Sequence, residues 1–415
     1  MGTGSEPQER GESLAADPDL ASRWLGASVV AASDESFGEK ENLLKPHAPA
    51  FEPGQYGNRG EIVDGWETRR RRESGHDWAL VRLGTPGIVS SVEVDTSFFT
   101  GNYPESCRIE ACGVEGYPSP AELADPATEW IEIVPRSPLR GDVRNSFPVA
   151  SPIRFTHLRL SIFPDGGVAR LRVFGRVVPD ARHLDGLTID LAGQQYGGAV
   201  VASSDGFYSS AGVLNRPDRA RTMGEGWETR RRRDAGNDYV ILELGAAGTI
   251  RRLVIDTAHF KYNASAQIAV LGTTLESVPS VESSEWVELL PRTRLQPDTR
   301  HVFAIDSGID AVSAIRLDAF PDGGLSRVRA IGSVHPDARR RAGYRWFNSL
   351  PSGQAIRCLT DAGLPSDMAA AIVQERPLRE DWLGDDRAQP RNARRDLGPY
   401  LPALAALLAG RPRMS

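Results

Sequence analysis

Two eight-residue stretches concentrate the ionisable groups of this chain, and they are identical: GWETRRRR at 65–72 and again at 226–233. In an extended backbone Glu67, Arg69 and Arg71 share one face, and Trp66, Thr68, Arg70 and Arg72 share the other. If such a strand joins a two-layer domain, about half of its arginines must point inward or into a cleft. A buried arginine needs a carboxylate partner. Glu67, Asp77 and Asp95 are available in the first copy, and Glu228, Asp238 and Asp256 in the second. One reading is an ion-pair network that braces each domain. A second is a guanidinium fork for a small planar anion, which binds carboxylate or urea-like groups bidentately. A third, a basic tract for nucleic acid, is weakened by the interleaved acids and by a net charge of −6.

The segments DTSFFTGNYP (95–104) and DTAHFKYNAS (256–265) each begin at a strand end and close in a turn holding Asn102 or Asn263. Asp95 and Asp256 can orient an arginine there or serve as acid/base groups. His259 fits a packed or surface histidine, with a proton-carrying role as the alternative. FPDGG, at 163–167 and 320–324, is expected to be a hairpin turn without chemistry, since Asp-Gly and Gly-Gly supply positive φ. The seven histidines show no H-x-x-x-H or H-x-H spacing, and the three cysteines (Cys107, Cys112, Cys358) no C-x-x-C. No metal ligand set, disulfide framework or cofactor is therefore expected, and a divalent metal remains open.

The elements that must position these residues come in two copies. DWALVRLG (77–84) matches DYVILELG (238–245), and VEVDTSFF (92–99) matches LVIDTAHF (253–260) at the same offset of 161. DLASRWLGASVVAASD (19–34) matches DLAGQQYGGAVVASSD (190–205), and WIEIVPR (130–136) matches WVELLPR (286–292). The offset changes only between motifs, as loop insertions require. Copies of this length are whole domains rather than solenoid repeats of ~20–50 residues. The apolar period is mostly two, in short runs that alternate or stay apolar and are bounded by Gly, Pro or Asp; 41 glycines and 29 prolines supply the turns. The expected fold is all-β: a tandem repeat of two jelly-roll sandwiches, 19–181 and 182–338. A disordered polar tail over 1–18 precedes them and a helical appendage over 339–415 follows. In the appendage SGQAIRCLTDAGL and SDMAAAIVQERP read as helices with Ser352 and Ser366 as N-caps, and LPALAALLAG (401–410) as a third. No apolar run reaches the ~18–20 residues of a membrane span, and the N-terminus lacks the pattern of a secretory leader. Cytoplasmic residence is the expectation.

The paired GWETRRRR–x–x–G–x–D blocks, the VDT/IDT strand ends, the Gly-Asn turn and both FPDGG turns resemble the allantoicase family over about residues 19–338. The resemblance implies two jelly-roll domains per chain, a homo-oligomer commonly described as hexameric, and conversion of allantoate and water to ureidoglycolate and urea in purine catabolism. The second turn departs from the pattern, with Tyr262-Asn263-Ala264-Ser265 where Gly-Asn-Ala-Pro is expected, so a substrate contact is assigned to Asn102 alone. Residues 345–378 resemble the first helices of the ureidoimidazoline decarboxylases. Only that opening portion is matched, and no decarboxylase activity is expected.

Releasing urea from allantoate breaks a C–N bond at a tetrahedral carbon that also bears a carboxylate. A cationic fork from Arg69 and Arg70, or from Arg230 and Arg231, would hold that carboxylate. Glu67 or Glu228, with Asp95 or Asp256, would protonate the departing nitrogen and deliver water, and His259 is a further proton carrier. The competing readings are a lectin-like binding module and an inactive paralogue.

Overall fold

The computed structural model describes residues 17–58, 60–383 and 397–410, together with the backbone of Glu12–Ser13. Over these residues the chain divides into two compact units. One is Asp17–Asp185 with Arg339–Ser415; the other is Met1–Ala16 with Gly186–Ala338. Most of the 1–18 tail lies outside the described residues. Glu12 and Ser13 pair antiparallel with Ser203 and Ala202.

In the first-repeat unit the strands are β1 (Ser28–Ala32), β2 (Asp77–Asp95), β3 (Ser106–Cys112), β4 (Ile131–Pro138), β5 (Arg144–Pro148), β6 (Arg154–Phe163) and β7 (Arg170–Val177). All pair antiparallel. The 19-residue β2 organises the rest. Its first half pairs with β1 and β6, and its second half with β5 and β7. It therefore contributes to both layers of the jelly-roll sandwich. Ala79, Val81, Leu83, Val89, Val92 and Val94 alternate inward along it and meet Leu158, Leu160, Leu171 and Val173 in one core. The bend between the halves falls at GTPG (84–87), where the β2–β6 register jumps from Gly87↔Phe155 to Arg82↔His157. A Cβ at Gly87 would stand 2.5 Å from the Arg176 carbonyl oxygen, so the close approach of β7 requires glycine.

The second-repeat unit copies this plan. Its strands are β8 (Ala199–Ser203), β9 (Asp238–Asp256), β10 (Gln267–Thr273), β11 (Val287–Arg294), β12 (Arg300–Ala304), β13 (Val312–Phe320) and β14 (Arg327–Val334). The long β9 again pairs with four neighbours, β8, β12, β13 and β14.

FPDGG is not a hairpin turn. β6 and β7, which it joins, pair with different halves of β2 and not with each other, so the segment crosses from one layer to the other. Its last glycine, Gly167, instead pairs with Glu67 in the two-residue ladder of Trp66–Glu67 and Gly167–Val168. The ladder Trp227–Glu228 with Gly324–Leu325 repeats it.

Helices occupy the C-terminal segment: α1 (Pro336–Ser349), α2 (Ser352–Asp361), α3 (Ser366–Gln374) and α4 (Leu401–Ala409). The Arg-rich stretch 339–341 is part of α1. Ser352 and Ser366 are the first helical residues; the caps are Pro351 and Pro365, whose φ near −55° leads into each helix without a side-chain bond. Arg339, buried, binds Asp185 (2.7 Å) and the carbonyls of Leu407 and Leu408, which ties α4 to α1.

Candidate functional site

GWETRRRR is a strand for two residues only. Trp66 is buried and its Nε1 donates to the Asp34 carbonyl (2.8 Å), anchoring the segment to the core. After Glu67 the chain leaves the ladder, and the extended alternation expected across the arginines does not form. Each arginine is placed separately. The Arg69 backbone N–H donates to Asp34 Oδ1 (2.9 Å), and its guanidinium lies 3.3 Å from Asp34 Oδ2 with most of the side chain in water. The Arg71 backbone N–H donates to Asp165 Oδ2 (2.7 Å), and its Nη1 reaches buried Asp77 (2.8 Å). Arg70 and Arg72 are exposed and form no ion pair among the described residues.

Glu67, half-buried, faces an open cleft of about 660 Å³, which Arg70, Asn102, Tyr103, Glu105, Phe37 and Asp165 help to line. Asn102 Nδ2 donates to Glu67 Oε1 at 2.5 Å. The other carboxylate oxygen has no partner among the described residues. Burial pushes the Glu67 carboxyl above its ordinary range, against the lowering effect of the Asn102 amide. Pro164, Asp165 and Gly166 of the FPDGG crossover line the cleft beside Glu67. A Cβ at Gly166 (φ +135°) would stand 2.7 Å from the Asn102 carbonyl oxygen, so the crossover closes on the Asn102 turn only with glycine there.

The second repeat builds the same pair. Asn263 Nδ2 donates to Glu228 Oε1 at 2.5 Å, despite the altered Tyr262–Ser265 turn. Arg232 reaches Asp238 (2.8 Å) and its backbone N–H donates to Asp322 (3.0 Å), as Arg71 does with Asp77 and Asp165. The surroundings differ. Met223 Sδ lies 3.3 Å from Asn263 Nδ2, and Ala264 stands where the first copy has Tyr103. Arg230 stacks on the Phe207 ring, 4.2 Å from its centroid. Arg231 is exposed and forms no ion pair among the described residues.

Three expected site residues go elsewhere. Asp95 is buried and accepts from the backbone N–H (2.8 Å) and hydroxyl (2.6 Å) of Ser97, so it caps the turn after β2 and makes no hydrogen bond to Glu67. Asp256 accepts the Ala258 N–H (2.8 Å) in the same way. His259 takes the position of Phe98, both with φ +70°; its N–H donates to Asp298, and its Nε2 lies 3.0 Å from the Ala220 carbonyl oxygen. Each of these groups shapes a turn, and none makes a hydrogen bond to Glu67 or Glu228 among the described residues.

The bracing expected of the arginine block falls mainly to other arginines. Arg154, Arg170 and Arg327 are buried and pair with Glu115, Asp64 and Asp218. Conversely Phe37, Tyr103, Glu105 and Asp165 line the cleft without having been singled out. For Asp165 the signal was present, because FPDGG recurs intact in both copies. Phe37 lies in a poorly matched loop that only the fold brings to Glu67. Among the described residues, no cluster of three or more His, Cys, Asp or Glu could hold a metal ion. No helix among them is long and apolar enough to cross a membrane.

The family model for the allantoicase repeat matches residues 18–178 and 189–335. A probable allantoicase of Nocardia farcinica is 49% identical over 318 residues, 76% of this chain and 94% of the relative. One of Streptomyces coelicolor is 47% identical over 338 residues, 79% of this chain and 88% of the relative. A crystal structure of allantoicase from Saccharomyces cerevisiae superposes with a TM-score of 0.65 at 34% identity, covering 77% of this chain and 95% of that one.

Proposed function

This chain belongs to the allantoicase family, and we infer that it hydrolyses allantoate to ureidoglycolate and urea in the cleft built on Glu67 and Asn102. The enzyme is a hydrolase of purine catabolism. The observation that carries the site is a carboxyl group raised above its ordinary range, held through one oxygen by an amide, in a cleft edged by a free guanidinium.

Arg70 binds the substrate carboxylate, since its donors are uncommitted while Arg69 and Arg71 are held by Asp34 and Asp77. Protonated Glu67 donates its proton to the departing ureido nitrogen as the C–N bond breaks. The lone pair of the remaining ureido nitrogen forms a C=N bond, and urea leaves neutral. Water then adds to that carbon, returns the electron pair to nitrogen, and gives one proton to the Glu67 carboxylate. The product is ureidoglycolate, and the acid is regenerated. One residue thus serves as acid and then as base, and no second carboxylate is required. Asn102 fixes the carboxyl and leaves the second oxygen to face the substrate.

The first repeat is favoured because Met223 covers the Asn263 amide in the second. Glu67→Gln and Glu228→Gln, assayed singly for urea release, separate the copies. Glu67→Gln is expected to lose ~10²–10⁴ in kcat, as removal of a general acid does. Glu228→Gln is expected to stay within about threefold. A folded Glu67→Gln variant with full turnover would sink the assignment. We take the working enzyme to be a cytoplasmic homo-oligomer, the hexamer that the family resemblance implies. Three free, buried cysteines support a reducing compartment, and sedimentation velocity measures the assembly.

A further inference from the structure

A second cleft, of about 360 Å³, opens on the first-repeat unit between β2, β3 and β6. It is lined by His76, Trp78, Leu80, Arg108, Leu123, Ala124 and Arg159. Two guanidiniums meet one carboxylate there: Arg159 Nε binds Glu110 Oε2 (2.9 Å), and Arg108 Nη2 lies 3.3 Å from the same oxygen. The Arg159 guanidinium also lies over the Trp130 ring, 4.6 Å from its centroid, and its Nη groups make no hydrogen bond among the described residues. Two guanidiniums thus share one carboxylate oxygen beside an apolar floor, and Glu132, the register partner of Glu110, is exposed at the rim. His76, packed 4.8 Å from Phe163, is held below its usual range by burial and by the positive field of Arg108, Arg71 and Arg159.

The second repeat serves as an internal control. In matching register, Arg316 occupies the place of Arg159 and Leu271 that of Glu110; Ala269 replaces Arg108, and Asp318 replaces Ser161. There the single arginine is neutralised by Asp318 (Nε to Oδ1, 2.8 Å), and its Nη1 donates to the Val281 carbonyl (2.5 Å). Asn237 and Tyr239 stand where His76 and Trp78 do. The scaffold therefore folds without the counterparts of Arg108 and Glu110. In the first repeat Ser161 even leaves its buried hydroxyl oxygen without a partner where a carboxylate would balance Arg159.

We propose that this cleft is a binding site, separate from the Glu67 cleft, for a small monocarboxylate with a flat, largely apolar body. The carboxylate meets Arg108 and Arg159, and the body lies against Trp78, Leu80 and Leu123. The cleft has ample room for a molecule of benzoate size.

Benzoate is the probe, and benzamide is the neutral isostere. Titration calorimetry of the full chain is expected to show benzoate binding, and benzamide binding at least tenfold weaker. Arg108→Ala and Ser161→Asp each copy the second repeat and are expected to weaken benzoate at least tenfold. Allantoate turnover in both variants should stay within twofold. No binding of benzoate to the parent chain, equal binding of benzamide, or benzoate binding unchanged in both variants would each overturn the site. The last outcome would place benzoate elsewhere, such as at Arg70.

Discussion

Glu115→Ala should destabilise the first-repeat unit more than any neighbouring surface change, because Glu115 serves two masters at once. The Arg154 side chain is 0% exposed, and its Nη1 lies 2.5 Å from Glu115 Oε1. Its Nε donates to the Val178 carbonyl (2.6 Å), which does not neutralise its charge. The same Glu115 oxygen accepts from Gln354 Nε2 (2.7 Å), on α2 of the helical tail. Removing one partner of a fully buried ion pair costs about 3–5 kcal/mol. Glu115 keeps 28% of its side chain in water, so screening brings the pair to about 2–3 kcal/mol. The orphaned Gln354 amide adds about 1 kcal/mol. A total near 3 kcal/mol lowers the melting temperature by about 6–12 °C for a unit of this size. Urea unfolding of the full chain, followed by circular dichroism, measures it; Gln354→Ala should cost about 1 kcal/mol. A Glu115→Ala variant within 0.5 kcal/mol of the parent would show that Arg154 is not held by this pair. A Gln354→Ala variant as damaging as Glu115→Ala would show that the tail, rather than the buried charge, dominates.

Three other outcomes follow from the same structure. Since Glu67 must be protonated to act, kcat/KM should fall as pH rises through its raised value; a pH profile whose alkaline limb lies at or below the ordinary carboxylate range would refute this. Asp19 is pushed to about 6, chiefly by burial, so its charged form opposes folding: the group is neutral and costless below about 4, and stability is lost as pH rises through about 6. Asp19→Asn should therefore gain up to about 3 kcal/mol on the parent between pH 4 and pH 7.5 in urea unfolding, and a gap that narrows instead would contradict the sign. Gly87→Ala drives a Cβ to 2.5 Å from the Arg176 carbonyl oxygen, and a cost of about 1–3 kcal/mol by thermal melting is expected.

The sandwich was legible because its signal is local. Alternation along DWALVRLG or HLRLSIF is a two-residue period, and the duplicated motifs confirm each strand against its copy. The cleft was only half legible. Glu67, Asn102 and Arg70 sit in recurring motifs, but a motif does not say which of its charges are already spent. Asp95 reads as a free carboxylate at a strand end, whereas in the fold the Ser97 N–H and hydroxyl bind one of its oxygens. FPDGG looks like a hairpin because Asp-Gly and Gly-Gly suit one. Only the pairing of β6 and β7 with different halves of β2 shows a crossover instead. Phe37 and Leu139 reach the cleft through contacts distant in sequence, which no periodicity encodes.

The four arginines acquire a physical meaning once they are separated. A run of like charges repels itself, so each member must be offset or left in water. Asp34 offsets Arg69, and buried Asp77, the first residue of β2, offsets Arg71. Two acids from different elements thus pin the residues on either side of Arg70, and the backbone N–H groups of Arg69 and Arg71 are fixed by Asp34 and Asp165. A loop that would otherwise be mobile becomes a rigid mount for one guanidinium whose donors remain free. Rigidity matters because a fork contributes most when its orientation is set before the ligand arrives. The second repeat fixes Arg231 by the same device, with Asp205 and Asp322 on the flanking N–H groups, yet stacks Arg230 on Phe207 and covers Asn263 with Met223. The mount is therefore a property of the duplicated fold, and the chemistry depends on what each copy leaves open around its glutamate.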